Sequence, residues 1–298
     1  MRLPYYFLLF FLPLLGCAVK PAPAPETIEN ALLWRISGKD LPASSWLFGT
    51  IHMIGREDFF LTEPMQEHFR ETEQVVFEID LEEMNDIGVL MPLLMQAFMK
   101  GDTTLQDLLE PEEYELVAEH FSDMGLPMMF LDRIKPMFLS AMTSEDLFSP
   151  GGGGSDIVSY EMEFMEMAQQ QDKEVGGLET AAFQMSMFDS IPYRVQARML
   201  LESVRSGEEG DEQFEAMVAL YKAQDLQGLH RMLQGDEEGI SQYEDLLLVR
   251  RNRNWIPMME AYMAEKPTFF AVGAGHLAGP SGVIALLRAR GYQLEPVR

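Results

Sequence analysis

Cysteine is almost missing from this chain. Cys17 stands alone, so no internal disulfide can staple the fold and no group of thiolates can hold a metal. Basic residues are also scarce, with 22 Lys and Arg against 48 Asp and Glu and a formal charge of −26. A field of that sign repels phosphate backbones and argues against nucleic acid as a partner. The glycines at residues 151–154 are not followed by Gly-Lys-Ser/Thr, so they form no phosphate-binding P-loop. The His-Glu-x-x-His helix of common zinc peptidases is absent as well. The apolar run at residues 5–15 is too short to span a bilayer, and no other segment is apolar enough.

What is present begins with that short run. Arg2 precedes it, and Leu14-Leu15-Gly16-Cys17 follows it like a lipobox, although Leu15 stands where a small residue is usual. This pattern predicts a signal peptide at residues 1–16, lipidation (a palmitate-bearing anchor) at Cys17, and a Pro/Ala-rich extended tether over residues 17–29. Residues 30–298 are then one domain, exported and held at the cell envelope, touching the membrane through the lipid only. With 47% hydrophobic residues, that length buries a substantial core.

Residues 32–36 and 45–51 read as a strand pair turned at Gly38-Lys39-Asp40, with Trp34 and Trp46 packed on the sheet. A helix over 63–72 and a strand over 74–81 follow, which gives an α/β unit. Helical periodicity then dominates residues 82–264: at 87–99, at 111–124, after Pro127, and at 157–170, 181–207, 211–232 and 242–264. A short strand at 173–177 interrupts it. The apolar run at 268–272 predicts a strand covered on both faces, followed by a helix at 283–290. The fold class expected is α/β: a central mixed sheet surrounded by a large helical portion inserted at about residues 82–264.

Two segments share one design, an apolar run and then Gly-x-x-His: Gly49-Thr50-Ile51-His52 and Gly273-Ala274-Gly275-His276. A histidine just past a strand end lies where open α/β sheets bind ligands. The strand at 74–81 places Val76, Glu78 and Asp80 on one face, and Glu179 follows another strand. Buried carboxylates need a cation, a donor or a proton. Arg250, Arg251 and Arg253 form the concentrated basic spot, readable as a solvated helix end or as a clamp for a substrate anion. His68, His120 and His230 lie in charge-rich helical stretches and read as solvated.

Leu47-Phe48-Gly49-Thr50-Ile51-His52, Phe77-Glu78-Ile79-Asp80, Gly177-Leu178-Glu179-Thr180, Arg251-Asn252 and Ala271-Val272-Gly273-Ala274-Gly275-His276-Leu277, in that order, resemble the TraB/GumN family. The resemblance implies a fold shared with TIKI proteins and, more distantly, with erythromycin-esterase and ChaN-like proteins. TIKI proteins look like metal-dependent proteases that clip a secreted signalling peptide, and TraB-type proteins are associated with shutting down peptide pheromones. By that similarity His52, Glu78 and His276 are the catalytic residues. His52, Glu78, His276 and Glu179 are the metal ligands, and Asp80, Glu161, Arg251 and Asn252 support the centre or the substrate. Imidazoles and carboxylates suit Mn²⁺, Co²⁺ or Zn²⁺, with an open position for an activated water. The expected function is metal-dependent hydrolysis of a peptide or small ester. Two other readings stay open: a non-catalytic protein binding haem, a metal or a peptide, and a metal-independent esterase in which Glu78 orients His52 as general base.

Overall fold

Gly38, Lys39 and Asp40 all have positive φ (91°, 47° and 58°), and the chain reverses there. The reversal lays β1 (Leu33–Ser37) antiparallel on β2 (Ser45–Thr50), with Leu33 opposite Phe48. The structure is a computed structural model describing residues 29–83, 86–140, 157–235 and 240–298. The expected signal segment at 1–16, Cys17, the tether as far as residue 28 and the four glycines at 151–154 lie outside the described residues.

After β3 (Ile54–Gly55), α1 (Glu63–Arg70) starts where the Thr62 hydroxyl accepts the Met65 N–H, with Pro64 in the first turn. Its Met65 and Phe69, four residues apart, are the buried face. Next come β4 (Gln74–Ile79), α2 (Ile87–Gln96), α3 (Pro111–Asp123) and two short helices, α4 (Met128–Leu131) and α5 (Pro136–Ser140). Residues 157–158, expected to be helical, instead form β5 (Ile157–Val158), which pairs with β3. Their β-branched side chains suit a strand, and Ser159 caps α6 (Tyr160–Gln170) immediately afterwards.

β6 (Glu174–Glu179) and α7 (Ala181–Phe188) follow. The break expected at Gly207 falls instead at two places, before Pro192, because proline cannot continue a helix, and inside the expected 211–232 helix at Gln224, whose φ is 57°. α8 (Tyr193–Lys222) runs on through Gly207, which is only a kink, with φ 41° and ψ −121°. Asp225 caps α9 (Leu226–Gln234), and a π-helical turn, Asp245–Val249, leads into α10 (Arg250–Glu265). The chain ends with β7 (Thr268–Gly273), a tight 3-10 turn at Ala274–His276, α11 (Val283–Ala289) and β8 (Gln293–Val297). β8 was not anticipated. Pro296 makes it a poor central strand, and it lies at an edge, where a missing N–H is tolerated.

The fold is mixed α/β. The six-stranded sheet runs β6-β4-β7-β2-β1-β8. β6, β4, β7 and β2 are mutually parallel, while β1 and β8 run against their neighbours. The carboxyl ends of the four parallel strands therefore lie along one edge, and each carries a residue of the sequence motifs just inside or beyond that edge. α1 and α6 cover one face: Phe69, Phe164 and Phe269 meet with ring centroids 5.0 to 5.3 Å apart. Each such pair adds about 0.5–1.5 kcal/mol beyond area burial. On the other face Tyr262 of α10 meets Phe270, as strand alternation requires. A separate apolar cluster, including Val117, Phe121, Leu139 and Leu200, joins α3 and α5 to α8. β6 lies within the largely helical stretch between β4 and β7 and belongs to the central sheet.

Gly177 shows how tightly β4 and β6 meet. A Cβ there would lie 2.8 Å from the Ile79 carbonyl carbon and closer still to the Asp80 nitrogen. Both are backbone atoms that cannot swing away, so Gly177→Ala should destabilise the fold by about 1–3 kcal/mol in urea denaturation, as overpacking does. An unchanged midpoint would show that the strand ends can part.

Candidate functional site

The site is built along the carboxyl edge of the parallel strands. Glu78 is the second-last residue of β4, Glu179 the last of β6, and the two strands are in register, with Ile79 opposite Glu179. β7 delivers the turn carrying His276, and β2 leads through Thr50 to His52. From below, α10 presents Arg251, Asn252 and Trp255, all buried.

Arg251 joins these pieces. Its Nε and Nη2 donate to Glu179 Oε1 at 2.9 and 2.6 Å. Nη2 also donates to Glu78 Oε2, and Nη1 to the Leu247 carbonyl at 3.1 Å and to His276 Nε2 at 3.0 Å. Glu78 completes its shell with the Gly273 N–H on Oε1 at 2.9 Å and Gln184 Nε2 on Oε2 at 3.1 Å. A Cβ on Gly273 would sit 3.2 Å from Glu78 Oε1, so the bare backbone is what lets β7 come this close. Trp255 Nε1 donates to Glu179 Oε2 at 3.0 Å. Its ring lies 4.8 Å from the Arg251 guanidinium and 4.3 Å from the His276 ring.

The tautomer of His276 follows from its partners. Arginine only donates, so Nε2 must accept. Nδ1 therefore carries the proton, and Asn252 Oδ1 receives it at 2.6 Å. Asn252 cannot be turned the other way, because its Nδ2 donates to the His276 and Ser281 carbonyls at 3.3 and 2.9 Å.

His52 is placed differently. Its side chain is 69% exposed, and Nδ1 pairs with Glu161 Oε1 at 3.1 Å. Thr50 Oγ1 donates to the same oxygen at 2.6 Å, and Ser159 Oγ donates to Oε2 at 3.0 Å. The residue that orients His52 is thus Glu161, where the esterase reading had set Glu78.

The electrostatics divide the two imidazoles. For His52 the hydrogen bond to Glu161 raises the group to about 9. Its exposure lets solvent weaken that attraction. Burial, helped by Arg251 and His52 against the pull of Glu78, lowers His276 to about 3. Burial alone would raise Glu78, but His276, Arg251, His52 and the Gly273 N–H together bring it to about 2. Since His276 is neutral over the same range, Arg251 is the standing cation that keeps Glu78 ionised. Arg251 itself is raised: burial opposes its charge, and Glu78 and Glu179 more than offset the loss.

A sequence profile of the TraB/PrgY/gumN family matches residues 32–296. The chain belongs to the TraB/PrgY/gumN family. Among similar proteins is metalloprotease TIKI1 of Danio rerio, 24% identical over an alignment 338 positions long that covers 94% of this chain and 65% of that protein. Metalloprotease TIKI2 of Danio rerio is 23% identical, with 92% and 62% covered, and metalloprotease TIKI1 of Homo sapiens is 24% identical, with 94% and 64% covered. The chain thus spans under two thirds of the length of these relatives. No solved structure matches it.

The family members named as metalloproteases raise the question of whether this centre can hold a divalent ion. As arranged, it does not fit one. Arg251 engages Glu78, Glu179 and His276, three of the four ligands the resemblance implied, and both nitrogens of His276 are hydrogen-bonded, which leaves none open to a metal or to haem iron. Among the described residues no three His, Asp or Glu side chains come together as a cation cage.

Other expectations are sorted by the same geometry. Asp80 lies past the end of β4 and accepts the Glu82 N–H at 2.9 Å, so it shapes its own turn. The basic spot divides: Arg250 is exposed and pairs with Asp245, Arg253 is exposed, and buried Arg251 clamps the protein's own carboxylates. His68, His120 and His230 are half-buried, not solvated; His68 stacks on Trp46 with centroids 3.7 Å apart. Trp255, Gln184, Thr50 and Ser159 were not picked out beforehand. Trp255 had a signal, because it follows Arg251 by four residues on one helix face. Gln184 had none.

With folded values of about 3 for His276 and about 9 for His52, ring-nitrogen NMR should find His276 neutral anywhere between about 3 and 6.5, and His52 protonated between 6.5 and about 9. The signs for stability follow. The contributions of Glu78 and His276 are complete above their ordinary values of 4.5 and 6.5 and are lost as pH falls towards about 2 and about 3. That of His52 is complete below 6.5 and lost as pH rises through about 9. A His276 ring that titrates near 6.5 would contradict this account.

Proposed function

We propose that this chain is a peptidase-like hydrolase, acting at the strand edge where Glu78 and His276 are buried and His52 stands exposed. The observation that carries the reading is the opposed setting of its two imidazoles: His52 is exposed and paired with the Glu161 carboxylate, which favours its proton, while buried His276 accepts from Arg251 and stays neutral beside an ionised Glu78. Groups pushed apart in this way supply an acid and a base at one pH. His52 would give its proton to the leaving amine, and Glu78, whose Oε1 accepts only the Gly273 N–H, would take one from the attacking water as the C–O bond forms and the C–N bond breaks. The relatives' name, metalloprotease, supports a divalent-metal dependence. No step is assigned to the metal here, because Arg251 holds the buried groups it would need.

A polypeptide substrate fits the surroundings. α2 packs on α7, which carries Gln184 to Glu78, and α2 leaves Ile87, Met91, Leu94 and Met95 exposed at helical spacing. An exposed apolar stripe of this kind marks a contact surface. The acidic field favours peptides with basic residues. The same reading keeps the chain exported and tethered to the envelope through Cys17, reaching the membrane by its lipid. No helix among the described residues is long and apolar enough to cross one.

Digestion of a peptide library by the chain, with and without chelator, tests the proposal. Cleavage should occur, and Glu78→Gln and His276→Ala should each slow it by roughly 10²-fold or more. Absence of any cleavage in both arms ends the hydrolase reading, and loss with chelator alone assigns the metal a role. For the anchor, Cys17→Ser should abolish palmitate labelling and move the protein from the membrane to the soluble fraction. Unchanged membrane recovery would refute lipidation.

A further inference from the structure

A guanidinium has five N–H donors, and every one of those on Arg251 has an acceptor inside the protein: Glu179 Oε1 twice, Glu78 Oε2, the Leu247 carbonyl and His276 Nε2. The side chain is 8% exposed, against 11% for Glu78 and 6% for Glu179. Trp255 lies against both the guanidinium and the His276 ring, so Arg251 is packed in as well as hydrogen-bonded.

A divalent ion at this centre would need the same atoms. The lone pair of His276 Nε2 cannot accept an Arg251 N–H and coordinate a metal at once, and its Nδ1 is committed to Asn252. The carboxylate oxygens that face Arg251 are likewise used. Arginine keeps its proton at every pH a protein survives, so it does not step aside as a lysine can.

We propose that Arg251 is the resident cation of this centre: its guanidinium holds the space and the donor atoms a divalent ion would need, so the chain binds no such ion between Glu78, Glu179 and His276. Removing the guanidinium opens a site lined by two carboxylates and an imidazole, a donor set suited to Mn²⁺, Co²⁺ or Zn²⁺. This concerns the same centre as the proposed hydrolysis and does not depend on any peptide being cleaved.

The test is a Co²⁺ titration followed by visible absorption, paired with melting curves with and without the ion, on the full chain and its variants. The unaltered chain should show no Co²⁺ spectrum that depends on His276 or Glu78, and its Tm should not respond to the ion. Arg251→Ala should melt lower without metal, because two buried carboxylates lose their partner. It should bind Co²⁺ roughly tenfold or more tightly than the unaltered chain, and its Tm should rise on binding. Adding His276→Ala to Arg251→Ala should remove that gain. Should Arg251→Ala fail to fold, the unaltered chain, Glu78→Gln and His276→Ala decide the matter alone. Equal Co²⁺ affinity in all three, or none, supports the proposal. Binding by the unaltered chain that is lost in either variant overturns it, as does an Arg251→Ala protein that folds and binds no more tightly than its parent. Peptide cleavage is read separately, so failure of the hydrolase reading leaves this result intact.

Discussion

Two buried carboxylates close to one another at the ends of neighbouring strands cannot stand without a positive partner. Glu78 and Glu179 meet that condition through a single side chain, Arg251, which bridges them and also reaches His276. The interaction ties together β4, β6, α10 and the turn after β7, elements drawn from across the chain. Burying ions costs several kcal/mol each, so a pair like this persists only when hydrogen bonds use up the remaining donors and acceptors. Here they do. Gly273, Gln184 and Trp255 fill the carboxylate positions that Arg251 does not.

That constraint explains details that look unrelated. Gly177 and Gly273 are bare where β6 and β7 approach β4 and its carboxylate, because a methyl group would hold them apart. Asn252 fixes the tautomer of His276 so that its accepting nitrogen faces the guanidinium. His52 stays outside this buried network. It is solvated and charged beside Glu161, and it reaches the centre through space and not by a bond. The result is an interior that is electrically settled next to an exposed imidazole that can exchange protons.

Much of the architecture was legible in the chain. Residues 45–50, 74–79 and 268–273 are short, rich in aromatic and β-branched residues and bounded by turn signals, and all became central strands. Thr62, Ser159 and Thr180 cap helices, and none of the three was read as a cap from the sequence. Where the reading failed, tertiary context had overruled a local signal. Gly207 bends a helix without ending it, and residues 293–297 become a strand because β1 offers them an open edge. Within the site, His52, Glu78, Glu179 and His276 stood out by residue type and by position near strand ends, and Arg251 by its basic cluster, while Glu161 and Asn252 entered only through the family resemblance. Gln184 could not, since a glutamine in an apolar helix says nothing about which carboxylate it will meet.

By itself the sequence determined the central strands β2, β4 and β7, the acidic field and the pair of Gly-x-x-His turns, because these depend on local periodicity, composition and short-range backbone chemistry. Only the tertiary structure decided that Arg251 stands among the carboxylates, that Glu161 partners His52, and that one imidazole is dry and neutral while the other is wet and charged. Those outcomes turn on contacts between residues far apart along the chain and on burial. A sequence pattern records which groups are available, and folding sets the distances and the dielectric that fix their charge.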